Sequence, residues 1–160
     1  MLQDSKVKAL AQLKKELKEL QKDPLATLGV TCGLINRGDY FHWIITMLGP
    51  QDTPYAGGLF FLTADFKDDY PNSPPEVKFK NKIYHLNVDD DGHVCISTLN
   101  NWVKGTTMSE VLSLIFALFY KENPDSSYSR ERADLFKNNR PKFDQNVREW
   151  TRLYAPLKEC

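Results

Sequence analysis

The chain has 160 residues, the length of one ordinary domain, and can bury a core without disulfide or metal staples. Its 21 lysines and arginines balance 21 aspartates and glutamates, which argues against a dedicated nucleic-acid partner, since such a binder carries a basic excess to neutralise phosphates. No apolar run approaches the length that spans a bilayer, so no membrane partner is expected.

The opening Met1-Leu2-Gln3-Asp4-Ser5-Lys6 is polar and has no signal-peptide core. Residues 4–22 read as an amphipathic helix, with Leu10, Leu13, Leu17 and Leu20 recurring at spacings of three and four between lysines and glutamates. Asp23-Pro24 should end it, because the residue before proline is pushed away from helical angles. A strand is expected near residues 28–36, followed by strands at 40–48, 59–66 and 76–80. Asn36-Arg37-Gly38-Asp39, Pro50-Gln51-Asp52 and the stretch from Asp68 to Pro75 are the turns between them. Four consecutive strands with short connections suggest an antiparallel meander.

The last third reads as helical. Thr107-x-x-Glu110 is a capping-box signature that opens an apolar helix through Val111, Leu112, Ile115, Leu118 and Phe119, ending before Asn123-Pro124. A short helix near 129–138 follows. A final helix starts around Pro141, taken as its first position, and carries Phe143, Val147, Trp150 and Tyr154 on one face. Helix, then strands, then helices predicts an α+β fold: a four-stranded antiparallel meander sheet flanked by an N-terminal helix and C-terminal helices, in one domain over 1–160.

The three cysteines, Cys32, Cys95 and Cys160, are odd in number and form no Cys-x-x-Cys pair, so no zinc site is expected. Reduced thiols in a reducing compartment are the simplest reading, which places the protein in the cytosol or the nucleus.

Reactive groups concentrate between Tyr84 and Ile96. Asn87, Asp89, Asp91 and Gly92 match the first markers of a calcium loop, but Thr98 stands where the bidentate glutamate belongs, so no metal is expected and Asp91-Gly92 reads as a tight turn. Cys95 is either a small buried hydrophobe or a nucleophile. On an extended segment His93 shares its face; the choice is between a thiol-lowering partner and a solvated turn histidine.

Tyr84-His85-Leu86-Asn87, followed eight residues later by Cys95, resembles the active-site signature of ubiquitin-conjugating enzymes, His-Pro-Asn with the cysteine at that interval. Further landmarks follow in order: Phe41-His42-Trp43, Met47-Leu48-Gly49-Pro50, Thr53-Pro54-Tyr55-x-Gly57-Gly58-x-Phe60, Tyr70-Pro71-x-x-Pro74-Pro75-x-Val77, Asn123-Pro124-Asp125 and Arg148-Glu149-Trp150-Thr151. The resemblance covers roughly residues 9–156.

The resemblance implies an enzyme without cofactor. Cys95 would accept ubiquitin, or a ubiquitin-like protein, from the activating enzyme as a thioester and transfer it to a lysine amine, with or without a ubiquitin ligase. Asn87 would stabilise the oxyanion or hold the nearby loop, His85 would brace that loop, and Asp125 and Ser126 would line the gate for the attacking lysine, with Ser97 near it. Ser126 could instead cap a helix. The basic first helix, with Lys14 and Lys15, resembles the docking site for the activating enzyme. Three departures stand out. Leu86 replaces the motif proline, which predicts a looser turn and a less fixed Asn87. Asn72, and Val103-Lys104-Gly105 after Trp102, replace residues used to grip RING and HECT ligases, so an atypical ligase partner is expected. The rival readings are an inactive member that serves as a binding module for ubiquitin or ligases, and an enzyme for another ubiquitin-like modifier.

Overall fold

The computed structural model describes residues 2–22 and 24–157. Helix α1 (Leu2–Lys22) is followed by strands β1 (Val30–Leu34), β2 (His42–Leu48), β3 (Leu59–Asp65) and β4 (Glu76–Phe79), then by helices α2 (Ser97–Asn100), α3 (Met108–Ala117), α4 (Arg130–Asn138) and α5 (Arg140–Tyr154). The strands form one antiparallel sheet in the order β1-β2-β3-β4. This is the α+β architecture that the order of elements predicts. No helix among the described residues is long and apolar enough to cross a membrane.

The sheet buries one face by strict alternation. Trp43, Ile45 and Met47 of β2, Phe60, Leu62 and Ala64 of β3, and Val77 and Phe79 of β4 point inward. Helix α3 supplies Val111, Leu112, Ile115 and Phe116 to the same core, and Phe119 just beyond it stacks 5.2 Å from the Phe60 ring. Its start is fixed twice: Thr107 Oγ1 accepts the Glu110 N–H, and Glu16 Oε1 of α1 accepts the Met108 N–H at 2.7 Å.

Glu16 is the feature of α1 that a leucine count passes over. Ala9, Leu13, Leu17 and Leu20 are buried, Leu10 only partly, and Glu16 lies buried among them. The Tyr70 O–H reaches its other oxygen at 2.8 Å. Asp23, expected to end this helix, lies outside the described residues, as does Cys160.

Two boundaries differ from expectation: α3 stops at Ala117 with Leu118 as its cap, short of Asn123-Pro124, and the last helix starts earlier than Pro141. The last helix begins at Arg140 with Asn139 as its cap, so Pro141 is second, not first. Its buried face carries Phe143, Val147 and Thr151, while Tyr154 is exposed against the edge of the Trp150 ring. A 3-10 turn at Pro24–Leu28 and the short α2 carry no periodicity long enough to read from sequence.

Candidate functional site

Between β4 and α2 the chain runs buried from Ile83 through Val88 and then doubles back. The Cys95 N–H donates to the Asn87 carbonyl at 2.8 Å, the Asp89 N–H to the His93 carbonyl at 3.0 Å, and Val88 pairs with Val94. Asp89 shapes the turn, since its Oδ1 accepts the N–H groups of both Asp91 and His93 at 2.9 Å. Gly92 is required there. Its φ is +90°, and a Cβ would lie 2.1 Å from the Phe79 carbonyl oxygen. The Phe79 N–H in turn donates to the Gly92 carbonyl at 2.8 Å, so the turn is fastened to β4. Cys95 thereby sits half-buried at the open end of a short ladder, two residues before α2 begins.

The Cys95 thiol is held above its ordinary value of 9.0, first by partial burial and then by the charge of Asp89. His93 does not offset this. Its Nδ1 lies 3.2 Å from Asp89 Oδ2 and its Nε2 3.5 Å from Glu76 Oε1, so the ring is engaged by carboxylates. Asp89, Asp91 and His93 are close enough together to surround a metal ion, but Asp89 already serves the turn. Asn87, the first marker of the calcium-loop reading, turns its side chain the other way, toward the Asn123–Ser126 loop.

Asn87 is fully buried. Its Nδ2 donates to the carbonyls of Asn123 (2.7 Å) and Ser126 (3.0 Å), and its Oδ1 accepts the Asn123 N–H (2.8 Å). Both amide hydrogens are therefore committed to the loop that carries Asp125 and Ser126. His85 lies beneath it. The Asn87 N–H donates to His85 Nδ1 at 2.9 Å, which places the ring hydrogen on Nε2, donating to the Leu118 carbonyl at 2.9 Å. Burial holds the imidazole below its ordinary 6.5, so it is neutral, and neither nitrogen is left to exchange a proton with a reactant.

Asp125 is exposed, and its N–H donates to Asn123 Oδ1. Ser126 Oγ accepts from Asn123 Nδ2 at 3.3 Å. Ser126 caps no helix: Asn123 caps the 3-10 turn Pro124–Ser126 and Ser129 caps α4. Asn87 thus brings the cysteine ladder and the 123–126 loop together, while Ser97 stands exposed at the start of α2.

Leu86 differs from expectation. Losing the motif proline does not leave the turn untied, because the N–H that leucine adds donates to Glu122 Oε2 at 2.9 Å and its side chain is fully buried. Glu122 is itself buried, and its Oε1 accepts the Tyr55 O–H at 3.1 Å. Sequence reasoning missed Glu122, since its partners lie 36 and 67 positions away. It also missed Arg132. That guanidinium is buried and donates to the His85 carbonyl at 2.9 Å. Its centre lies 4.4 Å from the Tyr84 ring centroid, and it reaches Asp90 at 3.3 Å. Tyr128, whose O–H donates to Asp90 at 2.6 Å and whose N–H donates to the Leu86 carbonyl, closes the same side. Among the described residues no buried side-chain nitrogen or oxygen lacks a partner.

Two other surfaces carry the remaining residues that the sequence singles out. Lys14 and Lys15 are exposed on α1, with Lys14 Nζ 5.4 Å from the Tyr40 ring centroid. Asn72 and Val103–Gly105 are exposed on adjacent loops, joined by a bond from Trp102 Nε1 to the Pro71 carbonyl at 2.8 Å.

Comparison with protein families gives a match to the family described as ubiquitin-conjugating enzyme over residues 12–151. A match across that much of the chain, on this fold, shows that the protein belongs to the ubiquitin-conjugating enzyme family. The family is one of transferases in the ubiquitin pathway, whose members work with ubiquitin, activating enzymes and ligases.

Proposed function

We propose, from membership of the ubiquitin-conjugating enzyme family, that Cys95 carries ubiquitin as a thioester and passes it to a lysine amine. The observation that carries this reading is the ladder that ends in a half-buried free thiol, tied through Asn87 to the 123–126 loop. The Cys95 thiolate attacks the thioester carbonyl presented by the activating enzyme. A tetrahedral intermediate forms and collapses, the activating enzyme's cysteine leaves as thiolate, and the modifier now resides on Cys95. A substrate lysine, freed of its proton, attacks in the same way and Cys95 leaves as thiolate.

Asn87 acts in this scheme by holding the 123–126 loop against the cysteine ladder, since its amide hydrogens already have partners. Asp125 is the exposed acid beside the path of the incoming lysine, and Ser126, whose Oγ accepts from Asn123, is the neighbouring hydroxyl. Lys14 and Lys15 face the activating enzyme. The Asn72 and Val103–Gly105 surface, which lacks an apolar grip at Asn72, meets a ligase of its own kind.

The test is charging with activating enzyme, ATP and ubiquitin, read on gels run with and without reductant. A reductant-sensitive band that is absent from Cys95→Ala supports the reading. Absence of a band with ubiquitin and with other modifiers, each with its own activating enzyme, leaves a binding module in its place.

A further inference from the structure

We infer that Glu122 is a positioning residue for the transfer reaction, acting through the backbone of Leu86. The inference rests on the thioester reading above and extends it to a residue that touches no reactant. Three observations carry it.

First, the carboxyl group is buried and each oxygen has a partner: the Leu86 N–H at 2.9 Å and the Tyr55 O–H at 3.1 Å. Second, Leu86 stands between the two side chains that organise the centre. His85 Nδ1 lies 3.8 Å from the same Glu122 oxygen and accepts the N–H of Asn87, whose carbonyl accepts from Cys95. A shift of the Leu86 peptide therefore moves Asn87 and the cysteine together. Third, Glu122 immediately precedes Asn123, whose N–H and carbonyl hold the Asn87 amide. One side chain thus pins both strands that Asn87 bridges.

Proline has no N–H, so a chain with proline at position 86 cannot make this bond. Leucine can, and the structure uses it. Leu86 and Glu122 form a pair in which each needs the other. Proline at 86 would leave a buried carboxyl oxygen without a donor, and a small residue at 122 would leave a buried N–H without an acceptor. Restoring the motif proline alone is therefore damaging in this protein.

The experiment isolates the Cys95 thioester from the activating enzyme and follows its discharge to free lysine, for Glu122→Ala, Glu122→Gln, Leu86→Pro and the double variant Leu86→Pro/Glu122→Ala. Glutamine is the conservative variant. Its carbonyl can face Leu86 while its amide donates to Tyr55 Oη, whose own hydrogen has the Tyr84 carbonyl at 3.3 Å. The expected result is that E122A and L86P each slow discharge about tenfold, E122Q stays near wild type, and the double variant is no slower than the worse single. Glu16→Ala, which breaks a clamp remote from Cys95, should lose stability without slowing discharge. Discharge of E122A within about twofold of wild type, or fully additive losses in the double variant, overturns the inference. If the wild type takes no ubiquitin, the thioester reading fails by itself. The inference is then decided in the uncharged protein by amide hydrogen exchange. Faster exchange at Leu86 and Asn87 in E122A but not in E122Q upholds the clamp, and unchanged exchange in E122A overturns it.

Discussion

Two buried glutamates, Glu16 and Glu122, are joined to this protein in nearly the same way. Each accepts a tyrosine O–H and a backbone N–H: Tyr70 and Met108 for Glu16, Tyr55 and Leu86 for Glu122. In both, burial and the neighbouring glutamate raise the tyrosine hydroxyl above its ordinary range. What differs is where the backbone partner leads. Met108 opens a core helix, so Glu16 joins α1 to α3. Leu86 leads to Asn87 and Cys95, so Glu122 joins the core to the candidate centre. A local environment therefore does not reveal a residue's role; the far end of its hydrogen bond does.

The largest expected effect tests that contrast. Alanine at Glu16 leaves two buried donors unmet and alanine at Glu122 leaves the Leu86 N–H unmet, since the Tyr55 O–H keeps the Tyr84 carbonyl. At about 1–3 kcal/mol for each unmet donor, both E16A and E122A should shift the urea midpoint downward. Only E122A should also slow thioester discharge. Equal slowing by both would reduce Glu122 to a stability residue.

The next effect concerns Asn87. Asparagine to aspartate keeps an oxygen for the Asn123 N–H but turns a second oxygen toward the carbonyls of Asn123 and Ser126. Loss of two donors to partly buried carbonyls should cost about 1–3 kcal/mol and loosen the loop, seen as faster amide exchange at Asn123. Exchange unchanged at Asn123 would contradict the described network.

The two clamps should also part company with pH. His85 is held below its ordinary 6.5, first by burial, so the folded protein favours the neutral ring. As pH falls below about 6.5 the unfolded chain takes up a proton that the folded protein resists, and stability present above that pH is progressively lost. A proton on Nδ1 would also oppose the Asn87 N–H. Amide exchange at Asn87 should therefore quicken from pH 7.5 toward 5.5 relative to Met108, whose clamp contains no histidine. Parallel responses at the two amides would contradict this.

The smallest effect is at Asp89. Asp89→Asn keeps an oxygen for the turn and removes the charge that helps hold the Cys95 thiol up. Burial is the larger cause, so alkylation of Cys95 at neutral pH should quicken only about twofold. A tenfold change would mean that Asp89, rather than burial, governs the thiol.

Much of this was legible in the sequence, for reasons tied to period and spacing. The alternation Glu76, Val77, Lys78, Phe79, Lys80 announces a half-buried strand, and Thr107 with Glu110 announces a helix start; both stand in the structure. Cys95, Asn87 and His85 fall within one short segment, but it is the resemblance to the family signature, not spacing alone, that singles them out. Glu16 left a trace, a charge on the leucine-bearing face of α1 three residues after Leu13. Glu122 and Arg132 left none, because each acts on backbone or side chains distant in sequence, and a hydrogen bond to a main-chain N–H or carbonyl imposes no residue type on its partner. The same blindness explains Leu86. Read alone it is a missing proline, and only its partner shows that it brings a donor in exchange.

The most direct measurement of the central claim is the intact mass of wild type and Cys95→Ser after incubation with activating enzyme, ATP and ubiquitin. The account predicts that the wild type gains one ubiquitin less one water and that thiol reductant removes it. Cys95→Ser, whose hydroxyl can form only an ester, should gain an increment that thiol leaves in place. A wild-type adduct that survives reductant, or a thiol-labile adduct on the Cys95→Ser protein, would place the modifier elsewhere and contradict the account.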